Sequence, residues 1–279
     1  MTDRDVKIEL GAVQQTLLLP LLARARDAEK DQPILGDSYA RDMVARIDYD
    51  FSKLEAGRHA ANDQLGWTLR AWSFDNAVRE FLADNSNAVV VNIGAGLDTA
   101  FRRVDDGRVL WINIDLPEVV DLRRRLMPAS ERESSIARSV LDFSWIDEVG
   151  GKTKGRSVLF ISAGVLFYFE AAEIESLFRA LAGAYRSAHF IFDAVSSRLW
   201  LALTNWMMHR SGRMHSAARL KWHLKRASHL RRWVDTIKVV EEYSMFSRVQ
   251  PRADWSKQLV RDVKIADRLR IYNMIHVQL

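Results

Sequence analysis

The sequence predicts an α/β fold built on a doubly wound, mostly parallel sheet. Three observations carry that expectation. Short apolar runs alternate with amphipathic stretches through the middle of the chain, a Gly-x-Gly turn follows the first run, and an acidic residue closes the second.

Residues 1–87 read as a helical cap, with amphipathic segments around Val13–Ala28 and Trp67–Leu82. The runs Ala88–Ile93, Val109–Ile114, Ser135–Val140, Val158–Ser162 and His189–Val195 are rich in β-branched and aromatic residues and read as strands. Pro117 opens a helix at Glu118–Met127, where its missing N–H is not needed. In Glu170–Arg186 the residues Ile174, Leu177, Phe178 and Leu181 fall on one helical face. Residues 197–235 are read as helical. Strand character returns in Ile237–Phe246 and Arg270–Leu279, which suits an antiparallel hairpin on one edge of the sheet. The expectation is one domain over 1–279: cap 1–87, core 88–196, basic helical insertion or lid 197–235, and closing strands 236–279.

A chain of 279 residues suits one such domain, and 48% hydrophobic with 28% charged residues excludes a disordered or low-complexity protein. The absence of cysteine removes disulfides, thiolate metal sites and thiol nucleophiles. No apolar run reaches the roughly 18–20 residues of a membrane span. The run Leu17–Ala23 is broken by Pro20 and lacks the basic start of a signal peptide. A soluble, cytoplasmic protein is expected.

The net charge of +5 is concentrated in one place. Nine of the 41 Lys and Arg residues, and none of the 36 Asp and Glu residues, fall between Arg198 and Arg232, so the remainder is slightly acidic. A local anionic ligand fits this better than general nucleic-acid binding, for which no reading motif accompanies the charge.

The stretch Asn92-Ile93-Gly94-Ala95-Gly96-Leu97-Asp98-Thr99 turns from a strand into a helix, with two glycines that let the backbone approach a ligand. Thr99 stands where a dinucleotide fingerprint has its third glycine, which disfavours NAD or FAD. Asp115 ends the second strand, 19 residues after Gly96, where an acid accepts two ribose hydroxyls or caps the next helix. Asp142-Phe143 follows the third strand, in place to hold an adenine. Three such positions at successive strand ends make a nucleoside site the better account.

These blocks resemble the leucine carboxyl methyltransferase family, and within it the bacterial polyketide (tetracenomycin-type) O-methyltransferase branch. The carriers are Gln15-Thr16-Leu17-Leu18-Leu19-Pro20-Leu21 with Arg24-Ala25, Ile47-Asp48-Tyr49-Asp50-Phe51, and Arg70 with Phe74-Asp75. The Gly-Ala-Gly-Leu-Asp-Thr block, Asp115-Leu116-Pro117-Glu118-Val119 and Gly164-Val165-Leu166-Phe167-Tyr168 complete them. The resemblance implies a class I S-adenosylmethionine-dependent methyltransferase: a Rossmann-like doubly wound sheet with an antiparallel final strand. It implies that Arg70 pairs with the cofactor's methionine carboxylate and that Gly94 and Gly96 admit the methionine and ribose portions. Asp115 would take the ribose hydroxyls, and Asp142 with Phe143 the adenine.

The chain departs from that family at three places. Ala163 stands where an acid usually follows the fourth strand, Ala100 where an arginine follows the Asp-Thr pair, and Asn113 where an acid often precedes Asp115 by two. Tyr168, His209, His215 and His223 are the candidate bases, and Tyr168, just past the fourth strand, is the catalytic candidate; a rim tyrosine is its other reading. Asp193 is read as a cap for the helix after the fifth strand, with a pocket-facing carboxylate as the other option. Histidines 209, 215, 223 and 229 are spaced too unevenly to share one helical face, so no metal is expected.

With Trp200, Trp206 and Trp222 interleaved, the basic segment suits a cover over a small anionic or aromatic acceptor. It suits equally an acidic carrier protein, an anionic membrane surface, or a solvated basic helix. The expected function is O-methylation of a small-molecule carboxylate or hydroxyl in secondary metabolism. The rivals are a carboxyl methyltransferase of peptide or protein C-termini and a cofactor-binding protein without turnover.

Overall fold

The computed structural model describes residues 6–8, 14–55, 60–128, 130–210 and 218–279. The cap comprises a two-residue strand β1 (Val6–Lys7), α1 (Leu18–Ala28), α2 (Ser38–Arg46), β2 (Ile47–Asp48), α3 (Ser52–Glu55) and α4 (Ala60–Asp84). The core follows as β3 (Ala88–Ile93), α5 (Ala100–Val104), β4 (Leu110–Asp115), α6 (Pro117–Leu126), β5 (Glu133–Ala137), α7 (Ser144–Thr153), β6 (Ser157–Ser162), α8 (Ala171–Ala184) and β7 (His189–Val195). Then come α9 (Arg198–Arg210), β8 (Lys238–Ser244), α10 (Lys257–Arg268) and β9 (Tyr272–Gln278).

Seven strands form one sheet in the order β5-β4-β3-β6-β7-β9-β8, and β1 pairs separately with β2. Strands β3 to β7 run parallel, whereas β9 is antiparallel to both β7 and β8. Every residue of β3 is buried. Val89, Val91 and Ile93 face one core with Trp145, Phe160 and Phe178, while Ala88 and Val90 face another with Phe74, Val78 and Phe101. Covering both faces is what a parallel sheet requires, and it explains the uninterrupted apolar runs in the sequence. The helical cap has its own cluster, in which Leu18, Leu21 and Leu22 meet Leu97, Leu122 and Leu126.

Local signals agree with the elements. Pro117 sits in the first turn of α6, with Glu118 beside it and Arg123, Arg124 and Arg125 in the last turn, complementing the helix dipole. Glu170 and Glu173 close a reciprocal capping box at the start of α8. Chain order along the sheet reverses between β3 and β6, so the loops leaving their carboxyl ends diverge and open a crevice.

Three expectations need correction. The third strand is Glu133–Ala137 rather than Ser135–Val140, because the chain leaves the sheet after Ala137. Residues 197–235 are helical only in α9 and in a short 3-10 turn at Ala227–Arg232. Between them, residues 218–226 lie extended: Ala218, Leu220, Trp222 and Leu224 are buried, and Arg219, Lys221 and Lys225 are exposed. That period of two is a strand-like pattern. The two late strands are not a simple hairpin: α10 connects them, and β9 lies inside the sheet with β8 at its edge. Among the described residues, no helix is long and apolar enough to cross a membrane.

Candidate active site

A cavity of about 660 Å3 opens at the carboxyl ends of the strands. In sheet order its lining runs from Ser139, Val140 and Leu141 after β5, past Asp115 at the end of β4, to Gly94–Leu97 after β3. It continues to Ala163–Val165 and Phe167–Phe169 after β6, and is completed by Arg70 of α4, Thr204 and Met208 of α9, and the extended residues Arg219–Lys221.

The floor is made by backbone without side chains. Gly94 and Gly96 have φ of 70° and 51°, a region that glycine enters without steric cost. A Cβ on Gly94 would stand 2.6 Å from a methyl of Val165, and one on Gly164 (φ 75°) would stand 2.6 Å from Arg70 Nη1. The Gly96 amide donates to Asp115 Oδ2 at 2.6 Å and the Leu116 amide to Oδ1 at 2.8 Å. Burial pushes the Asp115 carboxyl above the usual range, against the pull of these two amides.

A buried ionic network holds the glycine turn from outside. Arg103 donates to Asp75 at 2.7 and 2.9 Å, to Asp37 at 2.9 Å and to Asp98 at 3.2 Å. Arg24 bridges Asp37 and the Leu97 carbonyl, and Arg123 donates to the carbonyls of Gly96 and Asp98. Burial alone would raise the Asp98 carboxyl; Arg103, Arg24 and Arg123 together hold it below the usual range.

Arg70, Gly94, Gly96, Asp115 and Tyr168 all line the cavity. Asp142 and Phe143 do not; their neighbour Leu141 does. Asp142 is half-exposed, where its Oδ1 accepts from the Ser144 amide and hydroxyl at the start of α7, and Arg138 lies 3.3 Å from Oδ2. Phe143 packs against the core beneath. Tyr168 ends the 3-10 turn Leu166–Tyr168, and its phenol is pushed up by burial, opposed by a hydrogen bond to Thr16 and by Arg70. At neutral pH that group is a hydroxyl, able to orient a ligand but not to act as a ready base. Histidines 209, 223 and 229 do not line the cavity, and His215 lies outside the described residues. Among the described residues no cluster of metal-ligating side chains occurs.

Asp193 is not a helix cap. Its Oδ1 accepts the Gly164 amide at 2.6 Å, and Ser197 Oγ instead accepts the Trp200 amide near the start of α9. Sequence reasoning also missed Arg219 and Lys221 as lining residues. The alternation through Ala218–Lys225 was the available signal.

The fit to a nucleoside bearing an amino acid rests on structure: a floor of positive-φ glycines, two of which, Gly94 and Gly164, have no room for a Cβ, a carboxylate at the end of β4, and Arg70 over Gly164. Fold and site together define a class I S-adenosylmethionine-dependent methyltransferase. The sequence profile of the leucine carboxyl methyltransferase family matches residues 18–182, and the chain belongs to that family. It is 37% identical to the tetracenomycin polyketide synthesis O-methyltransferase TcmP of Streptomyces glaucescens over 67% of this chain and 68% of that one. It is 32% identical to the S-adenosyl-L-methionine-dependent methyltransferase dpfgK of Gibberella zeae, over 68% and 69% of the two chains. The fold is shared with a DUF574 family protein from Streptomyces avermitilis: TM-score 0.56 and 14% identity, covering 92% of this chain and 96% of that one.

Proposed function

We propose that the chain methylates a carboxylate or hydroxyl oxygen of a small, anionic, aromatic acceptor in secondary metabolism. The observation that carries this is the continuation of the cavity beyond the glycine floor. Trp67, Phe167, Tyr168, Met208, Leu220 and Tyr272 line it, Phe167, Tyr168, Leu220 and Tyr272 packing in one apolar cluster, and Arg219 and Lys221 lie on the same wall. The similarity to a polyketide O-methyltransferase supports the same reading. The acceptor is free or held on an acidic carrier protein, for which the basic segment provides a complementary face.

Bound S-adenosylmethionine supplies an electrophilic methyl group. The chain's own residues bind and orient the two reactants, a contribution worth several kcal/mol of barrier on its own. In this reading Arg70 holds the methionine carboxylate in a charge-assisted pair and Gly94 and Gly96 permit close backbone approach. Asp115 accepts from the ribose hydroxyls, and Val140 and Leu141, rather than Asp142 and Phe143 that follow them, border the adenine. No histidine is found among the described cavity-lining residues. A carboxylate acceptor is ionised at neutral pH, whereas a phenol near pKa 10 would need a base. Arg219 and Lys221 on the cavity wall complement such a carboxylate, which favours ester formation.

The test is a panel of aromatic acids, phenols and peptides ending in leucine, incubated with methyl-labelled cofactor and analysed for ester and ether products. Labelled methyl esters of the aromatic acids are expected. Turnover of the peptides alone would replace this reading with C-terminal carboxyl methylation. Cofactor binding without any labelled product would favour a protein that has lost turnover.

A further inference from the structure

We propose that Asp193, on β7, is the acceptor for the cofactor's α-ammonium group, supplying from the neighbouring strand the carboxylate that Ala163 does not provide. The proposal rests on the orientation given above, with Arg70 at the methionine carboxylate.

The amino-acid end of the cofactor is a zwitterion, so a site that reads it whole needs a cation and an anion side by side. Arg70 and Asp193 are such a pair. Asp193 Oδ2 lies 3.9 Å from Arg70 Nη1, beyond hydrogen-bond reach, and Oδ2 is buried with no hydrogen-bond partner. Its other oxygen is fixed by the Gly164 amide at 2.6 Å, so the carboxylate cannot rotate away without losing that bond. A buried carboxylate oxygen left without a donor is destabilising, and an incoming ammonium would relieve it.

Asp193 lies just behind the cavity wall, beneath Arg70 and Gly164, and the carboxylates on the wall itself are already engaged. Asp75 takes Arg103 in a two-pronged pair, and Asp98 takes Arg103 and the Ala100 amide. Asp115 accepts two backbone amides, and Glu173 accepts the Glu170 amide in the capping box. Asp193, next to the lining residues Arg70 and Gly164, keeps one oxygen without a hydrogen-bond donor. The glycine at 164 makes the arrangement possible: a side chain there would occupy the space of the Arg70 guanidinium.

The test compares binding of S-adenosylhomocysteine with that of its desamino analogue, which keeps the nucleoside, thioether and carboxylate. Calorimetric titration needs no turnover. Asp193→Asn retains an oxygen for the Gly164 amide and removes the charge. It is expected to weaken S-adenosylhomocysteine by about 10- to 100-fold, the scale of a charge-assisted hydrogen bond, and to leave the desamino analogue within about twofold. Equal loss for both ligands would assign Asp193 a purely structural role, and no loss for either would remove it from the site; both overturn the proposal. Adding Ala163→Asp to that variant is expected to restore part of the preference for the amino group. Should Asp193→Asn fail to fold, the wild-type protein still decides: equal affinity for the two ligands overturns the proposal, and preference for the aminated one supports it. Arg70→Ala tests the underlying orientation separately, because it should weaken both carboxylate-bearing ligands alike.

Discussion

Gly94 and Val165, in the loops after two adjacent strands, stand so close that a single methyl group on Gly94 would come within 2.6 Å of the valine methyls. The two loops that leave the sheet at the switch point therefore meet at Gly94 and Val165, both of which line the cavity. Gly94→Ala should lower the melting temperature and weaken S-adenosylhomocysteine binding, by steric conflict and by a positive φ unsuited to alanine. Adding Val165→Ala should recover the steric part and leave the backbone part. Full stability in the single variant would show that the loops separate freely.

Asp115→Ala removes the acceptor of the Gly96 and Leu116 amides as well as the proposed ribose ligand. Cofactor affinity should fall by about 1–3 kcal/mol, read by calorimetric titration. Unchanged affinity would take Asp115 out of the site.

Arg103→Met strips the shared cation from Asp37, Asp75 and Asp98, all buried or partly buried. Leaving those carboxylates uncompensated should destabilise the fold by about 3–5 kcal/mol, measured as a shift in the urea midpoint. A loss below about 1 kcal/mol would show that water or other arginines replace it.

The acceptor reading predicts that Arg219→Ala and Lys221→Ala raise KM for a carboxylate acceptor about tenfold each, with little change in kcat. The loss should shrink with added salt, which screens charges at an open edge. A salt-independent effect would point to packing instead.

His189 and His276 meet across β7 and β9 with ring nitrogens 2.7 Å apart. Burial first, and the neighbouring His189 second, lower the His276 imidazole from 6.5 to about 4. Glu241 stands opposite in the β8 register, its carboxylate engaged by Arg248. The unfolded chain takes up a proton as pH falls through 6.5, and the folded one does so only near 4. Stability is therefore full above pH 6.5 and declines toward pH 4, by about 1–2 kcal/mol given the partial exposure of the ring. His276→Gln should flatten that part of the pH profile; an unaltered slope would assign it elsewhere.

Much of the frame was legible because burial on both faces leaves an unmistakable trace. Ala88–Ile93 and His189–Val195 coincide with their predicted limits, being continuous apolar segments. β5 was displaced because it lies at the sheet edge, where only Ile136 is fully buried, while Val140 and Leu141 serve the cavity beyond it. Residues 218–226 were misread because tryptophan, histidine and arginine suit a helix in composition, and only their alternation reveals an extended strap. That strap is pinned by bonds from the Lys221 amide to the Phe167 carbonyl and from the Leu224 amide to the Val195 carbonyl. Asp115 was readable from spacing along one strand. Asp193 was not, since its role depends on how β7 lies against Gly164, a relation between residues 29 positions apart.

The position of β9 bears on how the molecule is made. A chain synthesised from its amino end completes β7 long before residues 272–278 exist, yet those residues are the ones that cover its outer edge. Until they arrive, a buried, aromatic-rich strand presents unpaired amides and carbonyls to the surroundings, the condition that invites edge-to-edge association. β8, made earlier, has nothing in the sheet to join. The nascent protein thus carries an exposed edge from the completion of β7 until β9 is made, and β9 acts as the bolt that shuts it.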